Sequence, residues 1–211
     1  MSKSYVDGSI KAFLDKLATS SPEPGGGSVA ALAGALGAGL VSMVANLTLG
    51  KEKYADVEDR VQLLLAEAEE VRAFLQDLVQ SDTEAYAAVS AAMKLPRETE
   101  EQKAERDRRM QASLKEAANV PLAIGEQSLR VAQLSLTAAQ IGNVNAVSDA
   151  GVAVLLADAA AESAALNVKI NVGYISDQEY NQVSWARMQA IMDEVWQLRT
   201  KVLRLTYEKL G

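Results

Sequence analysis

Two short polar segments interrupt apolar sequence with residue types that could bind a ligand or carry out acid–base chemistry. The first, residues 22 to 28, reads PEPGGGS and precedes a long uncharged run. Its consecutive glycines permit a sharp turn that would present backbone N–H groups at a helix start, where these groups and the helix dipole favour an anion or an electron-rich ligand. Gly25, Gly26, Gly27 and Ser28 are therefore candidate binding residues. The alternative is a flexible loop in which Ser28 only caps the helix.

The second polar segment, residues 142 to 151, reads GNVNAVSDAG and lies between apolar stretches. It supplies Asn143, Asn145 and Asp149 as candidates. A carboxylate at the mouth of an apolar helix pocket could act as a catalytic base or bind an aminopyrimidine edge. Asparagine and aspartate are also common turn and cap residues, so an Asp149 that only caps the following helix stays open as the alternative.

Two isolated charged residues are further candidates. Asp82 lies in SDTEAY between apolar turns, where Ser81 and Glu84 could instead form a capping box that divides a long helix. Lys51 follows the uncharged run directly. We therefore expect either a functional carboxylate or a local helix boundary at Asp82.

Helix geometry limits which of these residues can meet. Along a straight helix Lys51 lies about 33 Å from Ser28, so the two meet only if the helix breaks or an antiparallel partner subunit brings one end to the other. Asn167 and Asn171 share a helix face with Asp149, but the rise between Asp149 and Asn167 is about 27 Å. We therefore expect no small pocket within one subunit to contain both.

Composition narrows the possible chemistry. The 211 residues include no cysteine and no histidine, which excludes disulfides, thiolate or imidazole metal sites and Ser-His-Asp triads. Acid–base chemistry must come from Asp, Glu, Lys, Tyr or water, and we expect no metal. The net charge of -7 argues against binding to nucleic acid or to an anionic membrane.

Hydrophobic periodicity predicts helices along nearly the whole chain, and the alternation typical of strands is almost absent. A short amphipathic helix is predicted over residues 10 to 17, behind a possible Asp7 cap. The uncharged run, residues 29 to 49, is long enough to cross a membrane. Its weak hydrophobicity and its lack of aromatic anchors favour a helix buried within a bundle instead.

The pattern predicts four further helices. They cover residues 57 to 95, Pro121 to about residue 140, an Ala-rich segment up to Val172, and a last helix that runs from a Ser176–Glu179 capping box to about Leu210. The mixed-charge stretch at residues 97 to 109 is expected to be a solvated helix face.

These elements predict an all-α fold, a bundle of long helices in a single domain over residues 1 to 211. The longest helices are Ala-rich on several faces, which implies more apolar surface than one slim bundle can cover. We therefore expect a homodimer. The first residues show neither a signal peptide nor a transit peptide pattern, so we expect a cytoplasmic protein.

Four blocks carry a family resemblance. They are PEPGGGSVAALAGALGAGLVSMVANLTLGKEKY (22 to 54), DTEAYAAVSAAMKLPRETEEQK (82 to 103), NVPLAI (119 to 124) and GNVNAVSDAGVAVLLADAAAESAALNVKIN (142 to 171). In this order, and over nearly the whole chain, they resemble the formiminotetrahydrofolate cyclodeaminase/methenyltetrahydrofolate cyclohydrolase family. Ser163 stands where glycine is expected, a change between small residues.

The resemblance implies a helical, dimeric enzyme of folate one-carbon metabolism. Members either release ammonia from 5-formiminotetrahydrofolate to close the 5,10-methenyl ring, or hydrolyse 5,10-methenyltetrahydrofolate to 10-formyltetrahydrofolate. Neither reaction inherently needs a metal or a cofactor beyond the tetrahydrofolate substrate. Because a single-domain chain has no fused formiminotransferase, we expect the cyclohydrolase. The cyclodeaminase and a folate-binding protein without turnover are the alternatives.

The resemblance also implies roles for the candidate residues. Residues 25 to 28 would form a backbone cradle for the glutamate tail or the pterin carbonyl. Three carboxylates could hold the amino edge of the pterin or act as general base: Glu23, Asp82 and Asp149. Asn143 and Asn145 would orient polar groups, and Lys51 would neutralise a carboxylate, most readily across a dimer interface.

Overall fold

The computed structural model of the protein describes residues 5–211 and contains six α-helices and no strand within that range. The helices are α1 (Ile10–Leu17), α2 (Gly26–Asn46), α3 (Glu58–Met93), α4 (Glu100–Ile141), α5 (Val147–Val172) and α6 (Gln178–Leu210). Short 3-10 helices precede α1, α3 and α5, at Tyr5–Asp7, Glu52–Val57 and Val144–Ala146. The predicted all-α bundle of long helices is confirmed.

Helices α2 and α5 form the centre of the bundle because both are rich in alanine and glycine, which let two helix backbones approach closely. A Cβ atom at Gly37 would lie 3.0 Å from the carbonyl oxygen of Ala153. Helices α3, α4 and α6 pack around this pair. Two segments, Gly26–Asn46 and Val144–Val172, are apolar and long enough to cross a membrane, yet 61% and 50% of their most apolar windows are buried inside the bundle. The prediction that the uncharged run is a buried central helix is confirmed.

Helix α4 continues through Pro121, where the sequence predicted the start of a new helix. Proline has no backbone N–H, so the carbonyl oxygen of Ala117, four residues earlier, lacks its helical donor. The side-chain amide of Asn171 donates to this oxygen at 2.7 Å. The prediction for Pro121 was wrong because a side chain of α5 replaces the missing backbone hydrogen bond, which local sequence cannot reveal.

Two predicted helix caps, and one boundary that the sequence left open, also differ from the structure. Ser9 caps α1 in place of Asp7, and its hydroxyl accepts a backbone N–H at 3.1 Å. Asp177 caps α6 in place of Ser176 and accepts a backbone N–H at 3.0 Å. No capping box divides α3, because the Ser81 hydroxyl donates to the carbonyl four residues earlier, at 3.0 Å, within a continuous helix. Caps are decided by local backbone geometry, which allows shifts of one or two residues.

The antiparallel arrangement of α2 and α5 separates the two polar segments of the sequence. Asn143 ties the start of α5 to the end of α2, since its backbone N–H donates to Thr48 Oγ1 at 2.8 Å. At the other end, a Cβ atom at Gly26 would lie 3.6 Å from Asn167 Nδ2, near the end of α5. Because α2 is about 30 Å long, the two polar segments lie at opposite ends of the bundle.

Candidate functional site

A cleft of about 550 Å³ opens at the end of the bundle where α2 begins. Its walls come from the loop before α2, the second half of α3, the first half of α4 and the end of α5. One face of α3 between Asp82 and Met93 and one face of α4 between Arg106 and Ala117 line it, and Arg106 contacts the carbonyl of Met93. The two helices therefore run antiparallel along the cleft, which is about 16 Å long by helix rise.

Asp82 connects α3 to the start of α2. Its Oδ2 atom accepts hydrogen bonds from the backbone N–H and from the hydroxyl of Ser28, each at 2.8 Å. Ser28 is fully buried inside the first turn, and Gly25 occupies the N-cap position without a side-chain hydrogen bond. The alternative in which Ser28 is the N-cap is therefore wrong. A carboxylate from another helix provides the negative charge that a helix N-terminus favours. This end of the cleft therefore suits a hydrogen-bond donor of a ligand better than a second anion.

Gly27 allows this contact between α2 and α3. A Cβ atom at this position would lie 2.0 Å from Asp82 Oδ1 and 2.6 Å from Asp82 Cγ, which is far inside van der Waals contact. At Gly26 the nearest atom would be Asn167 Nδ2, at 3.6 Å, and at Gly25 the carbonyl oxygen of Pro22, at 3.5 Å. Of the three loop glycines, Gly27 is thus the one that the packing of the carboxylate requires.

Glu23 brings a second carboxylate to the same end of the cleft. Its Oε2 atom is buried and has no hydrogen-bond partner among residues 5–211. The nearby phenol of Tyr5 has a raised pKa, because burial and, to a smaller extent, the charge of Glu23 disfavour the phenolate. A buried carboxylate oxygen without a partner costs free energy, so Glu23 is suited to accept a hydrogen bond from a ligand in the cleft.

Asn167 and Asn171 also line the cleft, and sequence reasoning did not assign them to it. The expectation that they share no pocket with Asp149 is confirmed, since Asp149 lies at the opposite end of α5. Each side-chain amide donates to a backbone carbonyl, Asn167 to Ser163 at 2.8 Å and Asn171 to Ala117 at 2.7 Å. The sequence feature that could have identified them as site residues is a pair of amide side chains one turn apart at the end of an Ala-rich helix.

The polar segment at the other end of the bundle makes a separate arrangement. Asn143 is 5% exposed, and its Nδ2 donates to the carbonyl of Leu47 at 2.9 Å while its Oδ1 accepts from Asn145 N at 3.1 Å. Tyr54 OH donates to the same Oδ1 at 3.4 Å. The Asn143 side chain therefore holds the turn before α5, and its predicted ligand contact would need one of these bonds to change.

Asp149 and Lys51 lie near this turn and not in the cleft. Asp149 is half-buried in the first turn of α5, where Ala146 occupies the N-cap position. Lys51 and Asn145 are exposed. Within one chain, the structure therefore brings Glu23, residues 25 to 28 and Asp82 together, and leaves the remaining predicted site residues at the far end.

Comparisons with known proteins agree with this architecture. The family model described as formiminotransferase-cyclodeaminase matches residues 9–190. The chain is 42% identical over 202 residues to a methenyltetrahydrofolate cyclohydrolase of Methylorubrum extorquens, with coverage of 96% of this chain and 97% of that protein. It is 33% identical over 192 residues to the formimidoyltransferase-cyclodeaminase of Rattus norvegicus, of which it covers only 36%.

A solved structure is similar over the whole fold. The formiminotetrahydrofolate cyclodeaminase of Thermotoga maritima superimposes with a TM-score of 0.86 at 31% sequence identity, with coverage of 96% of this chain and 98% of that one. The sequence resemblance and the fold thus agree along nearly the entire chain. The protein belongs to the formiminotransferase-cyclodeaminase family.

Proposed function

We propose that the protein is a methenyltetrahydrofolate cyclohydrolase, which adds water to 5,10-methenyltetrahydrofolate and yields 10-formyltetrahydrofolate. The observation that carries this proposal is the match to the Methylorubrum extorquens cyclohydrolase, which is 42% identical and aligned over nearly the full length of both chains. The cleft supports it, because it combines carboxylates at one end with an apolar stretch long enough for an extended aromatic ligand.

The reaction needs a proton acceptor and groups that bind the pterin at the polar end of the cleft. Water attacks the carbon between N5 and N10 and loses one proton to a base, which gives a tetrahedral carbon that bears a hydroxyl. The bond from this carbon to N5 then breaks as the hydroxyl loses its proton and N5 gains one, so one proton is released overall. Asp82 lines the cleft, and its Oδ1 accepts no hydrogen bond from residues 5–211, so the carboxylate can accept the first of these protons. Glu23 Oε2 would bind the amino edge of the pterin, and Asn167 would orient the ring.

The cyclodeaminase reaction is the second candidate, because the Thermotoga maritima structure of that name shares the fold and 31% of the sequence over both full chains. In that reaction N10 attacks the formimino carbon and loses its proton, and a tetrahedral carbon again forms. The formimino nitrogen gains two protons in total and leaves as ammonia. The same carboxylates would manage the proton transfers, since both reactions pass through a tetrahedral centre between N5 and N10.

Two absorbance assays distinguish these reactions. Purified protein given 5,10-methenyltetrahydrofolate is expected to consume the absorbance of the methenyl form faster than buffer alone, and to do so equally well with EDTA present. Protein given 5-formiminotetrahydrofolate is expected to leave the absorbance unchanged. A rise in absorbance with release of ammonia in the second assay, without a loss of absorbance in the first, would establish the cyclodeaminase. If the absorbance changes in neither assay but folate still binds in a titration, the protein is a folate-binding protein without turnover.

A homodimer would resolve the separation of the predicted site residues. Helices α2 and α5 expose large apolar side chains on the outside of the bundle: Leu36, Met43, Val152, Leu155 and Leu166. An antiparallel pairing of two chains over this face would place the α5 start of one chain beside the cleft of the other. Lys51, Asn145 and Asp149 would then reach the ligand from the partner. The dimer and the expected cytoplasmic location remain predictions.

Mixed dimers test whether two chains build one site. Asp82→Asn and Asp149→Asn are each expected to inactivate the homodimer. If each site takes Asp82 from one chain and Asp149 from the other, coexpression of the two variants restores one intact site per mixed dimer, or about a quarter of wild-type activity for random pairing. Activity that stays at the level of the single variants would contradict a shared site, and a fully active Asp149→Asn protein would remove Asp149 from it.

A further inference from the structure

We propose that Arg106 binds the glutamate carboxylates of the folate and so fixes the direction in which the substrate lies in the cleft. The proposal rests on the proposed folate function and adds a specificity-determining residue to it. Sequence patterning placed residues 97 to 109 on a solvated helix face, and most of them are exposed, just before α4 and in its first turns. Arg106 departs from this pattern, because its side chain is only 24% exposed and lines the cleft.

The polarity of the cleft changes along its length. Asp82 and the glycine loop form one end, and Arg106 lies about 16 Å away at the other, by the rise of α3 and α4. The walls between them are mostly apolar and include Val89, Leu114 and Ile170, while Gln111, Asn171 and Tyr174 add polar groups. A folate has the same sequence of groups, since a polar pterin, an aromatic aminobenzoyl group and an anionic glutamate follow one another along its length.

Arg106 is available for an anion in a way that its neighbours are not. Arg108 and Arg109 both bind Glu105, at 2.7 and 2.8 Å, and neither lines the cleft. The guanidinium of Arg106 makes only long contacts with the Met93 carbonyl, at 3.4 and 3.5 Å, and lies 3.8 Å from the carboxylate of Asp107. Among the described residues that line the cleft, Arg106 is the only cation.

Charge also disfavours the reverse orientation. A glutamate tail placed at the other end would bring its carboxylates beside Asp82 and Glu23, and like charges at short range repel. At Arg106 the same carboxylate can accept two parallel N–H bonds from the guanidinium fork, which lysine cannot reproduce. The pterin end therefore faces the glycine loop and the tail faces the cleft mouth at α4.

Binding calorimetry with and without the glutamate tests this assignment. The ligands are tetrahydrofolate and the primary amide of tetrahydropteroate, which lacks the glutamate and carries no carboxylate. The proteins are wild type, Arg106→Gln, Arg106→Lys and Arg109→Gln. We expect Arg106→Gln to raise the Kd for tetrahydrofolate about tenfold or more and to leave the Kd for the amide unchanged. The Kd of Arg106→Lys for tetrahydrofolate is expected to lie between those of wild type and Arg106→Gln, and the Kd of Arg109→Gln is expected to match wild type. In turnover assays, Arg106→Gln is expected to raise KM and to leave kcat nearly constant.

The outcomes separate the two proposals. Equal losses for both ligands with Arg106→Gln would mean that Arg106 only closes the end of α3, and would overturn its role in binding, as would unchanged binding of both. Wild-type protein that does not prefer tetrahydrofolate over the amide of tetrahydropteroate would also overturn it. Wild-type protein that binds neither ligand and turns over neither folate substrate would overturn the folate function itself.

Discussion

Gly27→Ala is expected to lower kcat/KM by about a hundredfold or more and to destabilise the fold by about 1–3 kcal/mol. The new Cβ atom would lie 2.0 Å from Asp82 Oδ1, so the carboxylate must move. Both hydrogen bonds to Ser28 hold it where it is, and a general base displaced by about an ångström loses most of its effect. Turnover assays and thermal unfolding measure the two effects separately.

Gly39→Ala is the matched control on the same helix. Its nearest neighbour would be Arg72 Cδ, at 3.7 Å, which is ordinary contact, so helix propensity alone should apply and raise stability by about 0.5–1 kcal/mol. Activity is expected to stay at the wild-type level, because Gly39 lies well along α2 from the cleft. A Gly27→Ala protein as active as Gly39→Ala would show that the observed approach of Asp82 to α2 has no role in function.

Asp82→Asn is expected to lower kcat/KM by about 10²–10⁴, the usual worth of a positioned general base. Asparagine has the same shape, and its carbonyl oxygen can still accept from the N–H and hydroxyl of Ser28. The contact between α2 and α3 should therefore persist, with a loss of stability of about 0.5–1.5 kcal/mol from the weaker hydrogen bonds. Steady-state kinetics together with the melting temperature separate loss of the base from loss of the fold.

Two comparisons make this result specific. Asp77→Asn changes an exposed carboxylate of the same helix outside the cleft and is expected to have no effect. Ser28→Ala removes one of the two hydrogen bonds to Asp82 but leaves the carboxylate and the backbone N–H, so its loss of activity should be much smaller. A loss below tenfold for Asp82→Asn would rule out Asp82 as the general base, and the same result for Asp149→Asn would leave Glu23 as the remaining predicted carboxylate.

Most of the helices were predictable because their signals are local. The Ala- and Gly-rich run of α2 and the regular apolar spacing of α3 fix helical periodicity and burial within short windows. The prediction of a helix start at Pro121 was wrong because the deciding contact is not local. The effect of the proline on α4 depends on the amide of Asn171, which is distant in sequence and supplies the donor that proline lacks.

The candidate site also has features that local sequence predicts and features that only the packing of helices decides. By itself the sequence determined the fold class, the family, the absence of histidine and cysteine chemistry, and Glu23, the glycine loop and Asp82 as members of a longer set of candidate site residues. The tertiary structure decided that Asp82 caps α2, that Asn167 and Arg106 line the same cleft, and that Asp149 and Lys51 lie at the far end. These facts depend on the antiparallel packing of α2 against α5 and of α3 against α4. Such packing joins residues far apart in the chain, and no local pattern encodes their distance.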